Sequence, residues 1–360
     1  MPDARVFWVL LTMVPGIGPV TCRRLAEHFG DARAAWLAPP RQLAEAGLER
    51  RPLQALVQLR ERVRPEGVWQ GIERLQLGVL TLDDPDYPRL LREIPDPPPV
   101  LYLRGTIKPE DEWAVAVVGT RRVTAYGRQA TARLAGDLAR AGVCIVSGLA
   151  KGVDTLAHRA ALEAGGRTIA VLGNGLDQVY PPENAALAQE IAARGALVSE
   201  FPPGVPPDAQ NFPRRNRVIS GLARATLVVE ASPISGALIT AERALEQGRD
   251  VFAVPGSIFS PQSEGPNTLI RDGARPVLTA NDLLEELHFG SIAEQKAMRE
   301  TLPADETEAA LLRLIGAEPV HLDELGRAAG LPIAAVSSAL TMLELKGLVR
   351  QVGSLQYVRS

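Results

Sequence analysis

The strongest constraint on the fold is an alternation of short apolar runs and amphipathic stretches between residues 113 and 285. This pattern predicts an α/β fold in which helices cover both faces of a parallel sheet. The predicted strands lie at 113–118, 143–147, 168–172, 196–199, 226–230 and 250–254. The predicted helices between them include 126–141, 153–164, 184–194 and 237–247.

Ligands of open α/β sheets bind at the carboxyl ends of the strands, where the strand-to-helix loops lie. The loops that can form a site are therefore 119–125, 147–152, 173–183, 200–216, 231–237 and 255–265.

The regions on either side of this repeat have a different character. Residues 1–65 read as short helices, and the last part of the chain reads as three helices followed by a hairpin, which is typical of a winged helix-turn-helix. Between the repeat and the C-terminal part, from about Ala293 to Thr307, the sequence becomes polar, which indicates a linker. We therefore expect a helical domain at 1–65, an α/β domain at 66–290, a linker at 291–305 and a winged-helix domain at 306–360.

Composition narrows the function classes. Of the 360 residues, 46% are hydrophobic, yet the apolar runs are too short to cross a bilayer, and the N-terminus lacks a signal-peptide pattern. The two cysteines form no disulfide framework or metal pattern. We therefore expect a cytoplasmic protein without membrane contact. The net charge of −3 means that any surface for nucleic acid must be a local basic patch.

The turn at 117–127 (VVGTRRVTAYG) is the first candidate for anion binding. Gly119 ends a strand, and Arg121 and Arg122 precede a helix whose first N–H groups can also hold an anion. A tight turn with solvated arginines is the structural alternative. The dinucleotide fingerprint Gly-x-Gly-x-x-Gly is excluded, because position 121 is arginine.

A second strand-to-helix turn lies at 147–154 (SGLAKGVD). Ser147 and Gly148 are small enough to allow close approach of a ligand, and Lys151 is one of only four lysines in the chain. Asp154 suits the first turn of the next helix, which is a structural role. For Lys151, ligand binding and a solvated surface position remain equally open.

The clearest nucleic-acid signal is at 210–217 (QNFPRRNR). Arginine neutralises phosphate, and the face of a phenylalanine can stack an unpaired base. A solvated helix start beside a buried ring is the alternative. The residues concerned are Phe212, Arg214, Arg215, Asn216 and Arg217.

Three further segments have weaker signals. Ser235 and Gly236 precede a helix and suit either a phosphate or an ordinary helix cap. The turn at 14–19 (VPGIGP) resembles the turn of a helix-hairpin-helix motif, whose glycines let backbone N–H groups approach a phosphate. The alternative is an ordinary turn between two helices of a small scaffold domain. The third helix of the C-terminal domain, 333–346, has one lysine, which favours a protein contact or weak DNA binding over base recognition.

Motifs of nucleotide hydrolases are absent from the sequence. None of the lysines is followed by serine or threonine, as a P-loop requires, and Gly-x-Ser-x-Gly does not occur. The four histidines lack a metal-binding or triad pattern. We therefore expect no enzymatic activity, no cofactor and no metal.

Six segments together resemble the DNA processing protein A family, in the family's order and over about half of the chain. They are VVGTRRVTAYG at 117–127, SGLAKGVDTLAH at 147–158, TIAVLGNGLDQVYPPEN at 168–184, SEFPPG at 199–204, NFPRRNRVISGLARATLVVEA at 211–231 and SGALITAERALEQGRDVFAVPG at 235–256. The resemblance implies an extended Rossmann-like domain that binds single-stranded DNA in a basic pocket at the sheet edge. It also implies a homodimer through that domain, loading of the RecA recombinase and a role in natural transformation.

Carried over residue by residue, the resemblance marks Arg121, Lys151, Phe212, Arg215 and Asn216 as pocket residues. The acidic Glu183 departs from members that have a basic residue nearby. With the turn residues above, the expected single-stranded DNA site consists of Gly119, Arg121, Arg122, Ser147, Gly148, Lys151, Phe212, Arg214, Arg215, Asn216, Ser235 and Gly236.

Two other functions remain as alternatives. The stretch from Gly236 to Glu242 loosely resembles the Gly-Gly-x-Gly-Thr-x-x-Glu loop of Rossmann-like nucleotide phosphoribohydrolases, of the lysine-decarboxylase-like family, but lacks the first glycine pair. The other alternative is a winged-helix transcription regulator with a ligand-binding α/β domain. The weakly basic third helix of the C-terminal domain argues against this hypothesis.

Overall fold

The computed structural model describes residues 3–289, 306–316, 319–345, 348–353 and 355–359. The chain divides into two compact units, Met1–Leu287 and His288–Ser360. The predicted linker at 291–305 lies outside the described residues, as does Ser354 of the predicted C-terminal hairpin turn. The domain boundaries therefore remain predictions.

The first unit begins with short helices, as the sequence predicts. Prolines at the first helical position start several of them, because proline has no N–H to leave unsatisfied there. Gly16, at φ +87°, makes the turn before the second helix. The helices are α1 Val6–Thr12, α2 Pro19–Phe29, α3 Ala32–Leu37, α4 Pro40–Glu45, α5 Arg50–Arg62 and α6 Pro65–Arg74.

A nine-stranded sheet forms the centre of the first unit, in the order β1-β2-β6-β5-β4-β3-β7-β8-β9. All six predicted strands are present, and their bounds differ from the predicted ones by no more than two residues. The strands are β1 Gly78–Thr81, β2 Val100–Gly105, β3 Ala114–Val118, β4 Cys144–Ser147, β5 Thr168–Val171, β6 Ala196–Ser199, β7 Ala225–Val228, β8 Asp250–Ala253 and β9 Arg275–Pro276.

The seven neighbouring strands β6-β5-β4-β3-β7-β8-β9 pair in parallel. The other two pairings are antiparallel, β2 with β6 and β1 with β2. Strands β1 and β2 and the two-residue β9 are additional to the predicted strands. Apart from the short β9, the parallel strands consist almost entirely of buried side chains on both faces, which is why they form continuous apolar runs in the sequence. The parallel order brings the carboxyl ends of β3, β4, β5 and β7 to one edge.

Helices cover the sheet, and the four predicted ones are present. The segment from Asn211 is also helical, so the expected loop 200–216 ends at residue 210. The helices are α7 Arg89–Arg92, α8 Ala125–Arg140, α9 Val153–Glu163, α10 Ala185–Arg194, α11 Asn211–Gly221, α12 Gly236–Glu246, α13 Glu264–Arg271 and α14 Ala280–Glu286.

One hydrophobic core joins the N-terminal helices to the sheet. Leu10 and Leu25 of the helices belong to the same buried cluster as Tyr102 of β2 and Leu197 of β6. The helical segment therefore shares its packing with the sheet edge. A second cluster, which contains Ala116, Val146 and Val228, fills the other face of the parallel strands.

The second unit has the predicted winged-helix architecture of three helices and a small sheet. Its elements are α15 Glu306–Leu314, β10 Val320–His321, α16 Leu322–Ala329, α17 Ile333–Leu345, β11 Val349–Gly353 and β12 Gln356–Arg359. The sheet order is β10-β12-β11. Leu311, Leu325, Val336 and Leu340 form its core, whereas Ser337, Ser338 and Thr341 of the third helix are exposed.

Within the described ranges, no single helix is long and apolar enough to cross a membrane. Leu322–Ala329 and Ile333–Glu344 satisfy the length and composition only as a pair, and they are bent by 111°.

Candidate nucleic-acid interface

A cavity of about 810 Å³ lies at the carboxyl edge of the sheet. The turn after β3, the first turns of α11 and the start of α12 form its walls. Eight of the predicted site residues line it, namely Gly119, Arg121, Arg122, Phe212, Arg215, Asn216, Ser235 and Gly236. Three segments that are far apart in the sequence therefore meet at the edge where the α/β pattern places a ligand.

An aromatic ring surrounded by cations is the central feature of this cavity. The Phe212 ring is half-buried, with the Arg121 guanidinium carbon 5.6 Å and the Arg215 guanidinium carbon 5.9 Å from its centroid. The Tyr180 ring lies 5.8 Å away, tilted by 33°, and is 41% exposed. A Cβ on Gly173 would lie 2.8 Å from Phe212 Cδ1, so the glycine makes room for this ring.

Tyr180 is a site residue that the sequence analysis missed. The loop after Tyr180 is not part of the expected site, because Glu183 is acidic where some members of the family have a basic residue. The signal that could have found Tyr180 is its position in the loop after β5, one of the sheet-edge loops, since an exposed aromatic there is suited to stacking.

Arg215 is buried, although its sequence context suggests a surface position. Its Nη1 donates to the carbonyl oxygen of Gly148 at 2.8 Å and to that of Val171, and its Nε donates to Asn216 Oδ1 at 3.3 Å. Loss of hydration lowers the pKa of Arg215 to about 10, against the opposing effect of Asp154 and with a further lowering by Arg121. Arg215 is thus a fixed positive charge at the floor of the cavity.

Asp154 lies beneath the same floor. Its Oδ2 accepts from the backbone N–H groups of Gly148 at 3.2 Å and Ala150 at 3.3 Å, which closes the turn before α9. Burial raises the pKa of this carboxyl to about 6, while Arg215 and the two backbone donors lower it. The predicted structural role of Asp154 agrees with these contacts, and the residue also faces the cavity.

Glu230 holds the turn that carries Arg121 and Arg122. Its buried carboxylate accepts from the Thr124 N–H at 2.9 Å and the Thr124 hydroxyl at 2.5 Å, and its carbonyl oxygen accepts from the Thr120 N–H at 2.6 Å. This role of Glu230 is not visible in the sequence, because its partners lie more than a hundred residues earlier in the chain.

The start of α12 forms the opposite wall. Ser235 Oγ accepts from the Ala237 N–H at 3.3 Å, which is an ordinary N-cap contact. Asn216 Nδ2 donates to the Gly236 carbonyl oxygen at 3.2 Å. Asn216 therefore connects Arg215 to this wall. Gly236 is exposed, so the cap contact of Ser235 does not exclude a ligand there.

Four of the predicted site residues do not line the cavity. Ser147 is fully buried and donates to the Val117 carbonyl oxygen at 2.7 Å, and Gly148 supports Arg215 as described. Lys151 is exposed and forms an ion pair with Glu183 at 2.6 Å. The structure places Ser147 and Gly148 in the framework of the site, and Lys151 at its periphery.

The arginines at 214 and 217 point away from the cavity, because successive residues of a helix face different directions. The guanidinium of Arg214 lies over Phe201, 5.4 Å from the ring centroid. Arg217 is buried in ion pairs with Glu200 at 2.5 Å and Asp96 at 3.3 Å. The run QNFPRRNR therefore does not form one continuous basic patch.

The cavity combines two exposed guanidinium groups, a fixed buried one and two aromatic rings. This combination suits an anion that is attached to a flat ring, as in a nucleotide. Thr240 of the phosphoribohydrolase-like stretch lines the cavity, but Glu242 is exposed and lies outside it. In the described part of the chain, no group of three or more His, Cys, Asp or Glu side chains is arranged to hold a metal ion.

Three family models match successive parts of the chain. The family model described as DNA recombination-mediator protein A matches residues 78–288. A DprA winged helix domain matches residues 295–353, and a DprA-like N-terminal HHH domain matches residues 2–61.

Similar proteins occur in several bacteria. Protein Smf of Synechocystis is 39% identical over 99% of this chain and 98% of its own length, and Protein Smf of Escherichia coli is 41% identical over 86% and 84%. The crystal structure of DNA processing protein A from Streptococcus pneumoniae matches with a TM-score of 0.72 at 35% identity, covering 79% of this chain and 99% of its own.

A structure of DNA processing protein A from Helicobacter pylori, described in terms of its single-stranded DNA binding mode, matches with a TM-score of 0.54 at 33% identity. It covers 60% of this chain and 97% of its own. Because the family model spans more than half of the chain and full-length relatives share more than a third of its residues, the chain belongs to the DNA recombination-mediator protein A family.

Proposed function

We propose that this protein binds single-stranded DNA in the cavity at the sheet edge. The observation that carries the proposal is the Phe212 ring, held between Arg121, Arg215 and the exposed ring of Tyr180. An unpaired base offers a flat face for stacking, and each nucleotide adds a phosphate for a guanidinium. The relative from Helicobacter pylori, described by its single-stranded DNA binding mode, supports this assignment.

The residues divide into contacts and supports in this proposal. Tyr180 and Phe212 stack a base, and the exposed Arg121 and Arg122 neutralise phosphates. Arg215 supplies a fixed charge beneath them. These contacts recognise a base face and a phosphate, which every nucleotide has, so binding does not depend on sequence.

The partner in this proposal is a RecA recombinase, which the protein loads onto incoming DNA during natural transformation. Membership of a family described as recombination mediators supports this role, as does the similarity to DNA processing proteins of other bacteria. We propose that the protein acts by binding alone, without catalysis, and in the cytoplasm, where a recombinase would act.

We also propose a homodimer through the Rossmann-like domain. Ile258 and Phe259, in the loop after β8, are 84% and 90% exposed. Large apolar side chains exposed side by side are costly in water and are typical of an interaction surface. A second copy of this chain would cover them.

The test is a titration of the full-length protein with labelled single-stranded and duplex DNA of the same sequence, over a series of salt concentrations. We expect tighter binding of the single strand and an affinity that falls with salt. Arg121→Ala should weaken binding, whereas Arg133→Ala, an exposed arginine on α8 outside the cavity, should not. Equal binding of duplex and single strand, or no effect of Arg121→Ala, would contradict the proposal.

RecA loading is tested separately. RecA filament assembly on single-stranded DNA is measured with and without this protein, using RecA ATP hydrolysis as the readout. We expect faster assembly with the wild type and less acceleration with Arg121→Ala. The protein without RecA should release no phosphate from ATP, and release would contradict the non-enzymatic role.

A further inference from the structure

A second cavity, of about 560 Å³, lies on the other side of the start of α11. The hairpin before α2 contributes Met13, Ile17 and Pro19 to its wall, and the loop after β6 contributes Phe201 and Pro202. It is therefore enclosed by the N-terminal helices and by the sheet edge, which share one core. The function proposed above leaves this cavity unused.

Arg214 provides the positive charge of this second cavity. It is exposed, and its guanidinium lies 5.4 Å from the centroid of the Phe201 ring. Glu200, which also lines the cavity, is paired with Arg217 at 2.5 Å, so its charge is already balanced. The exposed guanidinium is thus available to an anion at the mouth of the cavity.

A buried carboxylate lies in the wall of the same cavity. The Glu200 side chain is 6% exposed, and its Oε1 has no hydrogen-bond partner among the residues that the structure describes. The Watson–Crick edge of every base carries at least one N–H donor, and in a duplex this edge is turned toward the partner base. A base could present this edge to the cavity only if it came from a single strand.

The first turn of α11 connects the two cavities. Phe212 and Pro213 line the first, whereas Asn211 and Arg214 line the second. The backbone at the helix start contributes little, because the Asn211 N–H donates to the Asp208 carbonyl oxygen at 3.1 Å and Pro213 has no N–H. A strand that crosses the start of α11 would therefore meet an aromatic contact on one side and a guanidinium on the other.

We infer that the second cavity is a further nucleotide subsite, which takes the part of the single strand that leaves the Phe212 cavity. In this subsite the base lies against Ile17 and Phe201, its edge donates to Glu200, and its phosphate meets Arg214. The hairpin before α2 thus becomes a wall of the DNA path. This inference rests on the function proposed above, because it extends the same strand.

Two substitutions test the subsite in the full-length protein without disturbing its core. Arg214→Ala removes an exposed side chain. Gly18→Asp adds a negative charge on the hairpin: a Cβ at Gly18 meets nothing within 4 Å, and aspartate is a favourable N-cap for α2. Gly18→Ser, a neutral N-cap, and Arg133→Ala, an arginine outside both cavities, are the matched controls.

The probes are fluorescein-labelled oligodeoxythymidines, from a dinucleotide to strands long enough to fill both cavities. We expect Arg214→Ala and Gly18→Asp each to weaken binding of the long strands by about fivefold or more, the effect of losing one contact of about 1 kcal/mol. The dinucleotide, which fills only the Phe212 cavity, should bind all variants alike. A long strand with a photoreactive thymine analogue should crosslink to the hairpin.

The outcomes separate the two proposals. If the wild type binds no single strand of any length, the proposed function itself fails. If Phe212→Ala weakens binding of long strands but Arg214→Ala and Gly18→Asp do not, the Phe212 cavity stands and the second subsite is wrong. Crosslinks that never reach the hairpin would also overturn it.

Discussion

The guanidinium of Arg215 lies directly against the backbone of Gly148, with 2.8 Å between Nη1 and the glycine carbonyl oxygen. A Cβ at position 148 would lie 2.6 Å from Arg215 Nη2. Because Arg215 is buried and held by several hydrogen bonds, it cannot move aside without losing them. The small residue at 148 therefore maintains the charge at the floor of the cavity.

We predict that Gly148→Ala lowers the free energy of unfolding by about 1–3 kcal/mol, as expected for overpacking, and weakens single-strand binding. Urea denaturation and DNA titration measure the two effects. The control is Gly136→Ala on α8, whose Cβ would have no neighbour closer than 3.6 Å, so it should not destabilise the fold. A Gly148→Ala protein as stable as the wild type would refute the packing argument.

Phe212→Ala should cost about 1–3 kcal/mol of single-strand binding, the usual effect of losing one stacked base. Tyr180→Ala should cost a similar amount, because Tyr180 is the more exposed ring of the pair. Tyr180→Phe keeps the ring and should retain the affinity. Fluorescence anisotropy with a labelled strand measures all three, and unchanged affinity in a folded Phe212→Ala protein would remove Phe212 from the site.

Arg121→Ala should weaken binding of all sequences alike, because the phosphate is the same in every nucleotide. The slope of log K against log salt should decrease in magnitude by about 0.7 for each lost phosphate contact to a single strand. A salt series with two unrelated sequences measures this, with Arg133→Ala as the control. If the slope is unchanged, Arg121 does not contact a phosphate.

The pKa of about 6 for Asp154 predicts a pH dependence of DNA binding. Above this pH the buried carboxylate is charged and opposes the approach of phosphates; below it the carboxyl is neutral, so affinity should rise as the pH falls through 6. Asp154→Asn keeps the shape and removes the titration. Its affinity should therefore change less over the same range, as measured by anisotropy from about pH 5 to pH 8. An equal pH dependence in both proteins would exclude Asp154 as the cause.

The same pKa has a consequence for stability. Since the folded pKa is raised above the ordinary value of 3.8, the proton binds more tightly to the folded state. The stability of the wild type relative to Asp154→Asn should therefore be greatest below about pH 4, decrease as the pH rises from about 4 to about 6, and stay constant above that. Urea denaturation of both proteins at several pH values measures the difference.

A fragment of residues 1–287 should keep most of the single-strand affinity, because both cavities lie within the unit Met1–Leu287. The fragment should begin at the N-terminus rather than at residue 66, since Leu10 and Leu25 share a core with Tyr102 of β2. The winged-helix residues 306–360 alone should bind single strands weakly. Equal affinity of that fragment and the full chain would contradict this division of labour.

The six longer parallel strands could be predicted because almost all of their side chains are buried, and the helices between them because each has one apolar face. Strands β1 and β2 could not be predicted in this way. Val100–Gly105 follows a run of prolines that looks like a boundary, and its pairing partner Ala196–Ser199 lies far along the chain. Local pattern contains no information on such a distant antiparallel partner.

The site was predictable at the level of loops but not of individual side chains. The α/β order brought Arg121, Phe212 and Gly236 to one edge, as expected. The α/β order does not show that Arg215 is buried, because its burial depends on the carbonyl groups of Gly148 and Val171, which lie at the ends of two other strands. Had the helix been predicted to start at Asn211, helical geometry would have shown that Arg214, Arg215 and Arg217 point in different directions.

The antiparallel pairing of β2 with β6 has a consequence for how this protein is made. Residues 1–105 leave the ribosome well before Ala196–Ser199, whose Leu197 completes the core that the N-terminal helices share with Tyr102. The first part of the chain must therefore wait, with one strand edge open, until the middle of the chain has been synthesised. Translation that stops before residue 199 leaves an N-terminal segment with an unfinished core, which makes it a substrate for chaperones and proteases rather than a small folded domain.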